Sequence, residues 1–375
     1  MALTFKDPPP HPSLKSVVTF EDVRIKHPGY PHSNLLLCLP ATDGSGIHHA
    51  TIHTACAIIT NNHFDGFFSP STSPDSSLTI DISDNDILAA GEYYFHVPNS
   101  PRYAVLSCFE DWTLPTPLPS LWLRLREQSN STSTVQGLSG KFCALSSDDI
   151  AVQKAHIVPK TQEDWFVRNQ MITYCRGEIV PKTTGEIDAK SNLLPLRNDL
   201  HFAFDAAQFA LVPKARGDKI VLVTHTLIET ITLFEQYHNR PTLIPPYLIS
   251  PQLLFARFAH QIFHLFKAQF FPQSIKRWVL VKIEDKFQTL LIDRTENPGF
   301  KSTSRSRSVK KRAAGNDEPN DSEISEQSDE ELIELFRHTQ PSTSRVPQSE
   351  KVGFVERGRT LERERAAAFK WPGHR

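Results

Sequence analysis

The sequence has no C-x-x-C pair. Its 5 cysteines, Cys38, Cys56, Cys108, Cys143 and Cys175, are odd in number and far apart, so neither a dithiol redox motif nor a cysteine-built zinc site is expected. They read as reduced thiols in a reducing compartment. No stretch approaches the roughly 20 uninterrupted apolar residues that span a bilayer, and Met1 to Lys15 lacks the apolar core of a secretory signal. The expectation is a soluble, intracellular chain with no membrane partner. An excess of one charge is also missing: 41 basic and 42 acidic side chains leave a formal net charge of -1. Whole-chain electrostatics therefore draw no nucleic acid, and any such partner has to be recognised by local patches.

What is present is enough for a core, since 39% of the 375 residues are hydrophobic, and a chain of this length predicts two ordered domains plus tails. Residues 1–15 are expected to be flexible. From 16 to 126, apolar runs such as Asn34 to Leu39, Ala55 to Ile59, Tyr93 to Val97 and Tyr103 to Cys108 alternate with turn chemistry such as Asp43-Gly44-Ser45-Gly46. That pattern predicts a mixed α+β or β-rich domain. Residues 127–139 are too polar to pack and read as a linker. A second domain is expected over 140–297, with a functional core at 140–214. A long packing helix over 251–271 should close it, because Ser250 can cap, Pro251 suits the first turn, and Leu254, Phe255, Phe258, Ile262, Leu265 and Phe266 recur at helical spacing. Residues 298–375 are poor in apolar side chains and split into charged blocks, so they are expected to be disordered.

The chemistry concentrates in the core of the second domain. Hydrolysis of a phosphodiester needs an activated water, charge on the phosphoryl oxygens and help for the leaving oxygen, and a metal with one histidine base supplies all three. Ala155-His156-Ile157-Val158-Pro159-Lys160 places a histidine on an apolar strand that ends at a proline. Asn192 opens a second element after an Asp-containing turn. His201-Phe202-Ala203-Phe204-Asp205 then sets an imidazole and a carboxylate four residues apart, on one face of a helix and within reach of one cation. Ala207 to Pro213 reads as a short exit strand returning to the hairpin, which would complete a ββα unit.

Cys143, the Ala155–Pro159 run, Asn192-Leu193-Leu194-Pro195-Leu196 and Asp199 to Asp205 together resemble the HNH endonuclease superfamily, of ββα-metal fold, and most of all a branch of predicted nucleases common in fungi. Gly91 to Pro98 looks like the N-terminal region that accompanies that branch. The resemblance implies DNA as substrate, His156 as the general base, Asn192 as the brace of the loop that positions it, and His201 as a ligand of a divalent metal. Many members carry an Asp or His just before the base as a second ligand; this chain has Ala155. Asp205 is the candidate replacement, and its hard carboxylate suits Mg²⁺ or Mn²⁺. Lys160, Arg197 and Lys214 are candidate phosphate contacts.

Other features read more plainly. His48 and His49 are expected to be loop residues. His260 and His264, four apart on an aromatic helix, read as packing or surface histidines, and Trp165, Asn169 and Tyr174 as packing or loop-bracing residues. The basic block 301–312 could touch phosphates or direct nuclear import, and residues 328–337 carry a capping signature for a short helix that could fold on a protein partner. Two classes of function follow: a metal-dependent DNA endonuclease, or a catalytically degenerate HNH fold serving as a binding or scaffold module, for which Ala155 is the argument.

Overall fold

Alternation of short apolar runs with turn residues becomes a set of small sheets. In a computed structural model the residues described are 19–74, 79–127, 141–175, 185–243, 249–271, 275–283 and 286–292. The first part contains β1 (Asp22–Lys26), β2 (Leu35–Pro40), β3 (Gly46–His48), α1 (His49–Ile59), β4 (Phe67–Ser69), β5 (Ile87–Ala89), β6 (Gly91–His96), β7 (Val105–Leu106) and α2 (Ser120–Glu127). β1 lies between an antiparallel β2 and a parallel β6, and β4 joins the far edge of β6, giving the order β2-β1-β6-β4. β3 pairs with β5. His48 and His49, expected in a loop, instead end β3 and begin α1, both buried. Apolar neighbours at Ile47 and Ile52 fold them inward.

The second part contains β8 (Val152–His156), α3 (Glu163–Arg168), β9 (Leu193–Arg197), α4 (Asn198–Asp205), β10 (Phe209–Arg216), β11 (Lys219–Thr226), α5 (Ile231–Tyr237), α6 (Pro251–Phe270), β12 (Arg277–Ile283) and β13 (Lys286–Ile292). The chain is thus α+β, with helices and small sheets intermingled. The segment after α4, expected to return to the β8–β9 hairpin, is β10, and it pairs over its whole length with β11, from Phe209↔Thr226 to Arg216↔Lys219. A turn at Gly217, with φ +60, lets the chain double back at once. Local hairpin closure therefore prevails over return to the older strands.

α6 is the central packing helix. Ser250 accepts a hydrogen bond from the Gln252 amide at 3.2 Å and Pro251 occupies the first turn. Leu253, Phe255, Phe258, Ile262, Phe263 and Phe266 are all buried. The helix packs on α1, α2, β2 and β10. Gln269 near its end hydrogen-bonds both backbone groups of Cys38, at 2.7 and 3.0 Å. β12 runs parallel to β7. Stretches from either side of the expected linker thus share one core, and they fall in one compact unit. Residues 1–15, most of the 127–139 linker and the whole 298–375 tail, with its 301–312 and 328–337 segments, lie outside the described residues. No helix among the described residues is long and apolar enough to cross a membrane, and Cys38, Cys56, Cys108 and Cys143 form no disulfide.

Candidate active site

β8 and β9 form an antiparallel pair from Val152↔Arg197 to His156↔Leu193, and α4 follows β9 without a loop. His156 stands at the last position of β8. Its Nε2 lies 3.0 Å from Asp188 Oδ1, and Lys160 Nζ lies 3.5 Å from the same oxygen. The hydrogen bond from His156, then the charge of Lys160, hold the Asp188 carboxyl below its ordinary range. Since an ionised carboxylate can only accept, His156 carries its proton on Nε2. Nδ1 has no hydrogen-bond partner among the described residues.

Asn192 is fully buried and all its side-chain bonds go to the backbone. Oδ1 accepts from the Val158 amide at 2.8 Å; Nδ2 donates to the Val158 carbonyl at 3.1 Å and to the Ile187 carbonyl at 2.9 Å. The Asn192 carbonyl accepts from Ile157 N at 2.7 Å. One amide therefore ties the segment after His156 to the turn before Asn192. Trp165 stacks on Trp112 at 5.6 Å and donates to its carbonyl at 2.6 Å, and Asn169 accepts from Leu114 N, so both serve packing.

α4 sets His201 Nε2 3.1 Å from Asp205 Oδ2. His201 Nδ1 lies 2.9 Å from Gln153 Oε1, so strand β8 presents a polar group to the helix histidine. Both ring nitrogens thus face polar side-chain atoms. An edge of 3.1 Å between a nitrogen and a carboxylate oxygen is one that a single divalent cation spans. The donor set fits a metal. Ala155 shares the Gln153 face of β8 but is fully buried and offers no donor.

The other oxygen of Asp205 is held by Arg257 of α6 at 3.0 Å. Burial alone would raise this carboxyl, but the hydrogen bond from His201 and the charge of Arg257 bring it below its ordinary value. Arg257 also donates to the Phe204 carbonyl at 2.5 Å, beside Gln261 at 3.2 Å, and lies 3.8 Å over the Phe204 ring. The end of α4 is therefore fixed by a helix outside the ββα unit. No hydrogen bond joins His156 to His201: the first engages Asp188, the second Gln153 and Asp205.

The three basic candidates differ. Lys160 is more than half exposed. Arg197 is chelated by Asp199, at 2.7 and 2.8 Å, and paired with Asp148, which raises the one guanidinium and lowers the Asp199 carboxyl. Lys214 corrects the reading of its sequence: it is buried, and Nζ donates to Asp43 at 2.6 Å and Asn239 at 2.8 Å. It lies at the centre of a cluster that no motif announced. Asp43 also accepts from His238 Nε2 at 3.1 Å, Asn239 Nδ2 at 2.7 Å and the His48 amide at 2.8 Å, with His225 Nδ1 at 3.8 Å. Asp43, His225 and His238 are, among the described residues, the one group of three possible ligands with donor atoms within 4.8 Å, and could hold a metal ion. In the structure Lys214 supplies the cation there. His238 Nδ1 accepts from Thr226 N at 3.2 Å, which puts its proton on Nε2, towards Asp43.

Sequence reasoning missed Gln153, Asp188 and the Asp43 cluster. Asp188 had a faint signal, as the acid of the turn before Asn192; Asp43 and Lys214 are 171 residues apart and had none.

Residues 140–212 match the family model described as HNH endonuclease. The matched stretch holds β8, β9 and α4, and it places this module in the HNH superfamily, a family of nucleases. No curated protein and no solved structure matches the chain.

Proposed function

We propose that the HNH-superfamily module at residues 140–212 makes this protein a metal-dependent endonuclease that hydrolyses phosphodiester bonds of DNA. The observation that carries the reading is the commitment of His156 Nε2 to Asp188, which leaves Nδ1 as a lone pair at the end of β8. His156 Nδ1 takes a proton from water, the water oxygen bonds to phosphorus, and the bond from phosphorus to the 3′ oxygen breaks. Asn192 holds the Val158 backbone, so the strand end that carries the base cannot swing. His201 and Asp205 would hold Mg²⁺ or Mn²⁺, whose chemistry when bound is neutralisation of charge on a nonbridging phosphate oxygen and the leaving oxygen. Gln153 and Arg257 orient those two donors from the sides. Lys160 is the exposed cation placed to meet the phosphate backbone.

Supercoiled plasmid incubated with the full chain and Mg²⁺ or Mn²⁺ tests this. Cleavage should fall roughly 10²- to 10⁴-fold in His156→Ala, the range a general base contributes, and should also be lost in His201→Ala. Full activity in either variant refutes the assignment. Binding without cleavage in the wild type would favour the second reading, a degenerate HNH fold used as a scaffold, which the donorless Ala155 supports.

A further inference from the structure

We infer that Asp188 is the positioning residue of the base, and that Asn192 acts by delivering it. The inference rests on the assignment of His156 as the base and adds a residue to that site. Asp188 Oδ1 is 3.0 Å from His156 Nε2. It belongs to a single 3-10 turn, Glu186–Asp188, whose middle residue, Ile187, is buried. Asn192 Nδ2 grips the Ile187 carbonyl at 2.9 Å, one residue before Asp188, while the same nitrogen grips the Val158 carbonyl at 3.1 Å, two residues after His156. One buried amide thus clamps both backbones that bear the His156–Asp188 hydrogen bond.

Two consequences follow from the chemistry. A carboxylate acceptor at Nε2 selects the tautomer with Nδ1 free, and it stabilises the imidazolium formed when Nδ1 takes a proton. The clamp makes the two residues act as one unit, so their losses should not add. Lys160 Nζ lies 3.5 Å from the same Asp188 oxygen.

The test uses the full chain with Asp188→Asn, Asp188→Ala, Asn192→Ala and Asp188→Ala/Asn192→Ala. Ring nitrogen NMR of His156 should report the Nε2–H tautomer in the wild type and in Asp188→Asn, whose amide oxygen still accepts, and a tautomer mixture in Asp188→Ala and Asn192→Ala. Cleavage at saturating metal should drop about 10- to 100-fold in Asp188→Ala, the scale of losing the outer partner of a functional histidine. The double variant should be no slower than the worse single one. An unchanged tautomer in Asp188→Ala overturns the inference, as do multiplicative losses in the double variant. If the wild type does not cleave, the nuclease reading fails while the NMR arm still decides whether Asp188 sets the ring.

Discussion

Two clusters in this molecule are built from the same side chains and behave oppositely. At the end of β8 and along α4, His156, Asp188, His201 and Asp205 are paired histidines and carboxylates that remain a quarter to a half exposed. Around Asp43, the histidines 225 and 238 and Lys214 form pairs of the same kind, with side-chain exposures of 0%, 4% and 11% against 6% for the acid. The open cluster keeps its histidine–carboxylate pairs within reach of solvent. The closed one spends every oxygen of its acid on internal donors. Histidine–carboxylate chemistry is therefore no guide to a site by itself; solvent access distinguishes the two.

The largest effect that would sharpen this contrast is at Lys214. Lys214→Met leaves Asp43 charged and buried without its cation, and should destabilise the chain by about 3–5 kcal/mol, read as a lower midpoint in urea. Asp43→Asn/Lys214→Met should recover much of that loss, since the penalty belongs to the unpaired charge. A single variant as stable as the wild type would break the comparison.

A smaller effect is expected with pH. Burial, with Lys214 next, lowers His48 to about 4 and lowers His225 well below its ordinary value. Both stay neutral in the folded chain while the unfolded chain takes up protons near 6.5. Their contribution is thus present above about 6.5 and lost as pH falls from there towards 4, at about 1.4 kcal/mol per pH unit for each histidine. Tm should fall steadily between pH 7 and 5, and less steeply in His48→Gln. A flat Tm over that window would mean the closed cluster is wetter than its burial implies.

The smallest effect belongs to Lys160 in the open cluster. Lys160→Ala should leave Tm unchanged and weaken DNA binding uniformly across sequences, with the salt dependence of the affinity reduced by about one ion. An unaltered salt slope would remove Lys160 from the phosphate contacts.

Local features of the fold were legible because they depend on near neighbours. The capped start of α6 at Ser250 and Pro251, a strand carrying His156, and the i to i+4 facing of His201 and Asp205 all follow from spacing along the chain, although the strand stops at His156 and not at Pro159 as expected. The partner of β10 was not legible because β11 begins only after Pro213, outside the motif. Lys214 looked like a surface cation because nothing near it in the sequence contains its partner, Asp43.

The sequence by itself determined the ββα unit and the residue types of its chemistry: a strand histidine, a bracing amide and a helical His–Asp pair, each encoded within a short stretch. Only the tertiary structure decided what those groups meet. Asp188 reaches His156 across 32 residues, Arg257 reaches Asp205 across 52, and Asp43 claims Lys214. The reason is physical: periodicity fixes which face a side chain takes on its own element, whereas desolvation and charge pairing depend on which distant element packs over that face.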